Sequence, residues 1–140
     1  MQIRPFEDVD VDAVVALWSR CGLLRPWNNP LKDIARKRRV QRDLFLVCKI
    51  DDELVASVMA GYDGHRGWIN YLAVDPLFRR RGLGRELMEE VQHRLQSLGC
   101  SKINLQIRRE NVEAIAFYER IGFSEDAVLS FGKRLEPDDG

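Results

Sequence analysis

The stretch that most restricts how this chain can fold lies between Trp68 and Ile107. A strand-like run, residues 68–74 (WINYLAV), enters a basic turn that contains Gly82 and Gly84. Leu83, Leu87, Met88, Val91, Leu95 and Leu98 then recur at helical spacing, and residues 102–107 (KINLQI) alternate as a second strand. Two strands joined through a helix of that length must run parallel, connected by a right-handed crossover. Gly99 supplies the helix stop. The other elements can pair antiparallel. The expected class is therefore α/β, a mixed and mostly antiparallel sheet with flanking helices.

The rest of the chain fills in that frame. Residues 2–5 read as a short strand stopped by Pro5, and Asp8 or Asp10 can cap a helix whose buried stripe is Val11, Val14, Val15 and Trp18. Gly22 ends it, residues 23–30 form a loop with two prolines, and a weaker helix spans 31–42 with Leu31, Ile34 and Ala35 on one face. Residues 43–50 and 54–62 pair as a hairpin across Asp51-Asp52-Glu53, and residues 63–67 make the next turn. A helix is expected at 111–121, then two short strands at 127–129 and 131–135 and an acidic tail, 136–140.

Composition removes several function classes. The 140 residues carry 22 Lys and Arg against 22 Asp and Glu. A dedicated nucleic-acid binder needs a basic excess to displace counterions, so none is expected. The run Arg36-Lys37-Arg38-Arg39 reads as a solvated helix face, with no interleaved aromatics for base stacking. Cys21, Cys48 and Cys100 are isolated, which indicates neither a disulfide framework nor a metal site and points to a reducing, cytoplasmic setting. The longest mostly apolar run, 54–60, is far shorter than the ~20 residues of a membrane span. The first residues lack an apolar core and do not read as a signal peptide. One domain, 1–140, is expected.

The chemistry concentrates where the 68–74 strand meets the long helix. The first N–H groups of a helix have no intrahelical partners, and its dipole places partial positive charge there. Gly82 and Gly84 let a bulky anion approach the backbone, while Arg79, Arg80, Arg81 and Arg85 add full charges. Physically this reads as a pyrophosphate cradle. The same residues also describe an ordinary turn with solvated arginines, and glycines and arginines alone do not separate the two. No Lys-Ser/Thr follows the glycines, which excludes a Walker A loop, and the spacing disfavours a dinucleotide fingerprint.

A second motif adds specificity. Arg79-x-x-Gly82-x-Gly84 and Asn111-x-x-Ala114-x-x-Phe117-Tyr118-x-x-x-Gly122-Phe123, in this element order, resemble the two signatures of the GCN5-related N-acetyltransferase (GNAT) superfamily. The segments LLRPWNNP and GYDGHRG further resemble a YpeA-like bacterial branch. The resemblance covers essentially the whole chain and implies a GNAT fold with a splayed parallel strand pair. It implies an enzyme that takes acetyl-CoA as co-substrate, without a metal. A bulged strand would offer backbone groups of Leu72, Ala73 and Val74 to the pantetheine arm, with the Leu72 N–H facing the thioester carbonyl. Backbone N–H groups of Arg80, Arg81, Gly82, Leu83, Gly84 and Arg85 would hold the pyrophosphate. Asn111 would bond the pantetheine, a role compatible with capping its own helix. Tyr118 would protonate the departing thiolate, although Phe117-Tyr118 also fits a packed helix face.

The general base departs from the family pattern. The glutamate of histone-type relatives is replaced by Trp68, and that of ribosomal-protein-type relatives by Gln106. Asp63, His65 and Tyr71 remain, beside a base acting through water or an amine that arrives neutral. Of these residue types only histidine suits general-base work near neutrality. Leu24, Arg25, Trp27 and Asn28, with Asp63, His65, Arg66 and Trp68, are candidate substrate contacts, and each equally fits a packed or solvated surface role. Arg25 and Arg66 could hold a carboxylate. The expected partner is a small-molecule amine, with no nucleic acid and no membrane; a homodimer is compatible with the resemblance. A protein N-terminal acetyltransferase and a non-catalytic acyl-CoA-binding module are the alternatives.

Overall fold

The computed structural model describes residues 1–138. They divide into two compact units, Met1–Leu105 joined by Asp138, and Gln106–Pro137. The first contains β1 (Gln2–Pro5), α1 (Val11–Arg20), α2 (Pro30–Arg38), β2 (Phe45–Ile50), β3 (Glu53–Tyr62), β4 (Gly67–Val74), α3 (Leu83–Ser97) and β5 (Ile103–Leu105). The second contains α4 (Val112–Arg120). The sheet order is β1-β2-β3-β4-β5, antiparallel throughout except for the parallel pair β4–β5. This is the expected α/β class.

The sheet is covered on both faces, which explains why β2 and β3 read as nearly unbroken apolar runs. Phe45 and Val47 of β2 join Val14, Leu17 and Trp18 of α1, Phe6 and Ile34 in one buried cluster. Leu46 and Cys48 alternate to the opposite face. Leu87, Met88, Val91 and Leu95 of α3 lie outside that cluster and pack against β2, β3 and β4. Trp18 is the centre of the α1 side: fully buried, stacked on Tyr71 at 4.0 Å, and donating its indole N–H to Ser57 Oγ at 3.0 Å. The bond satisfies two polar groups that burial would otherwise leave costly. The β2–β3 loop is two residues, Asp51 and Asp52, both left-handed; Glu53 already belongs to β3.

Several expectations are corrected. Asp10 does not cap α1; its carboxylate turns back to accept from the Glu7 N–H and the Arg4 guanidinium, while a 3-10 turn over Asp8–Asp10 leads into α1. The second helix starts at Pro30, pre-set for a first helical turn, and ends at Arg38. Of its expected face only Ile34 is buried, because a short helix packed mainly beside α1 makes a narrow contact with the core. The basic run is a solvated face only in part: Arg36 and Arg39 are exposed, yet three of the four side chains have partners. Arg36 pairs with Asp33 and Asp138, Lys37 donates to the Ala60 carbonyl, and Arg38 pairs with Asp8 and lies over Phe6. Among the described residues no strand forms at 127–129 or 131–135: a strand exists only beside a ladder partner, and α4 is the only regular element of the Gln106–Pro137 unit. The acidic tail's last two residues lie outside the described residues.

Gly67 opens β4 where β5 begins, its N–H bonded to Lys102 O at 2.9 Å. A Cβ there would sit 3.0 Å from both Cys100 Sγ and Leu95 Cδ1, closer than packed carbons tolerate. Gly67→Ala is expected to destabilise the fold by about 1–3 kcal/mol. The check is a lower denaturation midpoint in urea with an unchanged m-value.

Candidate functional site

β4 is paired differently on its two sides. Against β3 its register runs from Gly67 to Val74, but Ala73 faces Ser57 while Asn70 faces Met59. Two residues, Tyr71 and Leu72, therefore oppose Val58 alone, which is a β-bulge. Against β5 the pairing covers Gly67, Trp68 and Ile69 only. Beyond Ile69 the described ladder stops, so the bulge and the last turn of β4 lie past the end of β5. Tyr71 takes φ +54°, rare for a bulky side chain. Two contacts hold it there: the stack on Trp18, and a 2.5 Å hydrogen bond from its hydroxyl to Asp33 Oδ2 on α2. Burial and then the Asp33 carboxylate push the Tyr71 phenol well up, so it stays protonated and does not act as a base near neutrality.

β4 leads through Asp75, a 3-10 turn over Pro76–Phe78 and residues 79–82 to the start of α3. Asp75, buried, fixes the junction: its carboxylate accepts from Leu77 N–H at 2.9 Å and from the Arg20 guanidinium at 2.9 Å, while its own N–H bonds Val55 O. Arg80 is left-handed at φ +65° and Gly82 at φ +79°. A Cβ at Gly82 would meet no neighbour within 4 Å, so glycine is required there by conformation rather than by space. Left-handed residues at 80 and 82 are compatible with the alternating backbone of an anion-binding concavity. Arg79, Arg80, Arg81 and Arg85 are exposed, and among the described residues none pairs with a carboxylate. Arg79 Nε donates to Val74 O at 3.2 Å, and Arg81 lies over the Phe78 ring. Leu83 and Gly84 are buried in the first turn of α3.

In the Gln106–Pro137 unit, Asn111 caps α4 by accepting from the Ala114 N–H at 3.2 Å. Tyr118 is buried, its ring edge-on to Phe117 and Phe123, and its hydroxyl has no hydrogen-bond partner among the described residues. Burial pushes the phenol up, so it is a proton donor and not a base across the neutral range.

The candidate substrate contacts fall into two groups along the chain. Asp63, His65, Arg66 and Trp68 form the β3–β4 turn. Asp63 Oδ1 accepts the N–H groups of His65 and Arg66 at 2.7 Å each, and Oδ2 accepts the Trp68 indole N–H at 3.1 Å. Those bonds, the Arg66 N–H first, lower its pKa to about 2, which makes Asp63 a turn former and a poor base. Leu24, Arg25, Trp27 and Asn28 follow α1, whose end is tied to the other end of β4 by Cys21 Sγ on Val74 O. At ~3.3 Å per residue the eight-residue β4 spans at most about 23 Å. Arg25 folds onto the Gly22 and Leu24 carbonyls, and Trp27 remains half exposed. Among the described residues no cluster of His, Cys, Asp or Glu suited to a metal occurs, and no helix is long and apolar enough to cross a membrane.

The comparisons meet this geometry. A family model described as the acetyltransferase (GNAT) family matches residues 11–123, from α1 past both signature motifs. The chain belongs to this family. An acetyltransferase of Pectobacterium atrosepticum is 46% identical over 138 residues, covering 99% of this chain and 98% of that protein. Ard1 of Thermoplasma volcanium superposes with a TM-score of 0.81 at 27% identity, over 90% of this chain and 84% of the other. The ribosomal-protein-S18-alanine N-acetyltransferase of Escherichia coli superposes at 0.75 and 27%, over 90% and 79%. An aminoglycoside N-acetyltransferase in complex with CoA shares the fold at 0.70 and 19%, over 95% and 99%.

Within this GNAT chain, the residues that sequence reasoning passed over are Asp33, Arg36 and Asp138. The signal was present: an Asp and an Arg three apart on one short helix, set just after a Pro-Trp-Asn-Asn-Pro loop. The basic run around Arg36 drew the reading towards solvent instead.

The turn assignment of Asp63 has a pH signature. A carboxylate whose folded pKa lies below its ordinary value adds stability above that value and loses it as pH falls through the folded pKa. The stability gap between wild type and Asp63→Asn is expected to be constant near neutrality and to shrink as pH falls from ~4 towards about 2. Thermal unfolding against pH measures it.

Proposed function

We propose that this acetyltransferase transfers acetyl directly from acetyl-CoA to a primary amine of a small molecule in the cytoplasm, with residues 1–140 working as one domain. The observation that carries the reading is the bulged β4, free of β5 beyond Ile69, leading into a helix start ringed by arginines without carboxylate partners. That arrangement suits a diphosphate at the helix and an extended arm along the strand. N–H groups from Arg80 to Arg85 would hold the diphosphate oxygens, with Arg79, Arg80, Arg81 and Arg85 supplying charge. Backbone groups of Leu72, Ala73 and Val74 would bond the arm in the manner of an added strand. Asn111, besides its capping role, would add a hydrogen bond to the arm. When bound, acetyl-CoA supplies the activated acetyl group and a thiolate leaving group.

The chain's own residues then divide the chemistry. The Leu72 N–H donates to the carbonyl oxygen as negative charge builds on it. Tyr118, kept protonated by burial, donates to the sulfur as the carbon–sulfur bond breaks. The attacking nitrogen loses its proton to solvent, because Asp63 is too acidic and Tyr71 too basic to serve, and His65 lies in the turn at the far end of β4. Direct attack leaves no covalent acyl-protein species, so none of the three cysteines is required.

The likeness to an S18-alanine N-acetyltransferase favours a second reading, acetylation of a protein N-terminus. Gln106 weighs against it, since that position holds the base in the relatives the sequence resembles.

Thiol release measured across amino acids, polyamines, aminoglycosides and N-terminal peptides separates the readings. Turnover with small amines is expected; turnover with peptides alone supports the second reading. CoA binding without turnover of any amine would leave a binding module. Tyr118→Phe is expected to lower kcat about 100-fold or more at unchanged KM for acetyl-CoA. Unchanged turnover removes Tyr118 from the mechanism.

A further inference from the structure

The start of α2 holds a carboxylate. Asn29 caps the helix, its side-chain oxygen accepting from the Leu31 N–H at 3.0 Å and the Lys32 N–H at 3.4 Å. Its own N–H points away from the helix and donates to Asp138 Oδ2 at 2.8 Å. The other oxygen, Asp138 Oδ1, takes the Arg36 guanidinium in a short contact. Each carboxylate oxygen thus has its own donor, and Arg36 first, then the Asn29 N–H, lower the Asp138 pKa to about 2. Lys32 adds positive charge nearby.

What occupies this site is informative. Every residue from Ala127 to Pro137 is exposed, including Val128, Leu129, Phe131 and Leu135, and then Asp138 is 3% exposed. The approaching segment gains almost nothing from apolar burial. The carboxylate alone is captured, so the chemistry of the site is matched to a carboxylate and not to a tail.

The site also connects to the reaction strand. Arg36 reaches Asp33 Oδ1 at 3.1 Å, and Asp33 Oδ2 accepts the Tyr71 hydroxyl, one residue before Leu72 on the bulge. Positive groups that hold a carboxylate, a neighbouring anionic oxygen that can receive an ammonium, and the bulge follow one another along three side-chain contacts. By contrast Arg25 is committed to loop carbonyls, and Arg66 is in the turn at the opposite end of β4.

We propose that Arg36 and the Asn29 N–H form the acceptor's carboxylate subsite, that Asp33 receives its amino group, and that Asp138 is an intramolecular stand-in displaced when an amino acid or similar carboxylate-bearing amine binds. This rests on the N-acetyltransferase reading and names the substrate class for it. The tail then sets an affinity threshold: an acceptor must compete with a tethered carboxylate of high effective concentration.

The test compares thiol release from amino acids with that from the amines left when their carboxyl group is removed, in wild type, Asp138→Asn and Arg36→Gln. The expected result is a preference for the carboxylate-bearing member in kcat/KM, raised about tenfold by Asp138→Asn and erased by Arg36→Gln. A preference that ignores both substitutions, or one that favours the decarboxylated amines throughout, overturns the subsite. If no amine releases thiol from any of the three proteins, the acetyltransfer reading fails separately, and binding decides the subsite. N-acetylglycine titrated into Asp138→Asn, followed at the Asn29 amide resonance, should saturate, and should do nothing when Arg36→Gln is added. No saturation in Asp138→Asn, or equal saturation in both, overturns it.

Discussion

The structure depends on a strand that is fully paired on one edge and abandoned on the other. β4 keeps its ladder with β3 to Val74, yet β5 accompanies it only to Ile69. A sheet normally satisfies both edges of an internal strand, because unpaired backbone groups are costly when removed from water. Beyond Ile69 the second edge has no sheet partner among the described residues, the feature on which the proposed seat for an extended ligand rests. The bulge at Tyr71 and Leu72 is part of the same device, since it re-aims the backbone at the place where parallel pairing has ended. Its strain is held by Trp18 stacking and by Asp33, so the α1 core and α2 support the site rather than merely covering the sheet.

Charge divides the first unit into two functions. At the start of α3 the arginines have no carboxylate partners, and the left-handed Arg80 and Gly82 shape the backbone around them. Along α2, the Asn29 N–H at its start and Arg36 in its last turn are already occupied by Asp138. Among the described residues the arginines at the start of α3 carry no carboxylate, whereas Arg36 of α2 holds one from the chain itself. The formal net charge of zero conceals this contrast, because it sums charges that act locally.

The parallel unit, the hairpin and both long helices were legible because each rests on local periodicity and punctuation: WINYLAV, the leucine spacing of α3, and the two aspartates of the β2–β3 turn. The left-handed turn at the start of α3 was legible in outline, because Gly82 and Gly84 punctuate the βα junction, although glycines and arginines alone do not distinguish an anion cradle from an ordinary turn. What misled was long-range partnering. Residues 131–135 carry strand-like residues, but ladder bonds come from a neighbour that local sequence does not reveal. Leu31 and Ala35 fit a helical stripe, yet only Ile34 meets the core. Arg36 read as solvated because its partner is 102 residues away. Asp63, His65, Arg66 and Trp68 did come together as a turn, in which Asp63 accepts from the His65 and Arg66 N–H groups and from the Trp68 indole.

Hydrogen exchange with and without coenzyme A tests the central claim most directly, because it reads individual backbone amides. The account predicts that the ligand protects amides at Leu72 to Val74 and at Arg80 to Arg85, the free edge of β4 and the entrance of α3. Equal exchange there with and without coenzyme A, or protection confined to other segments, would contradict it.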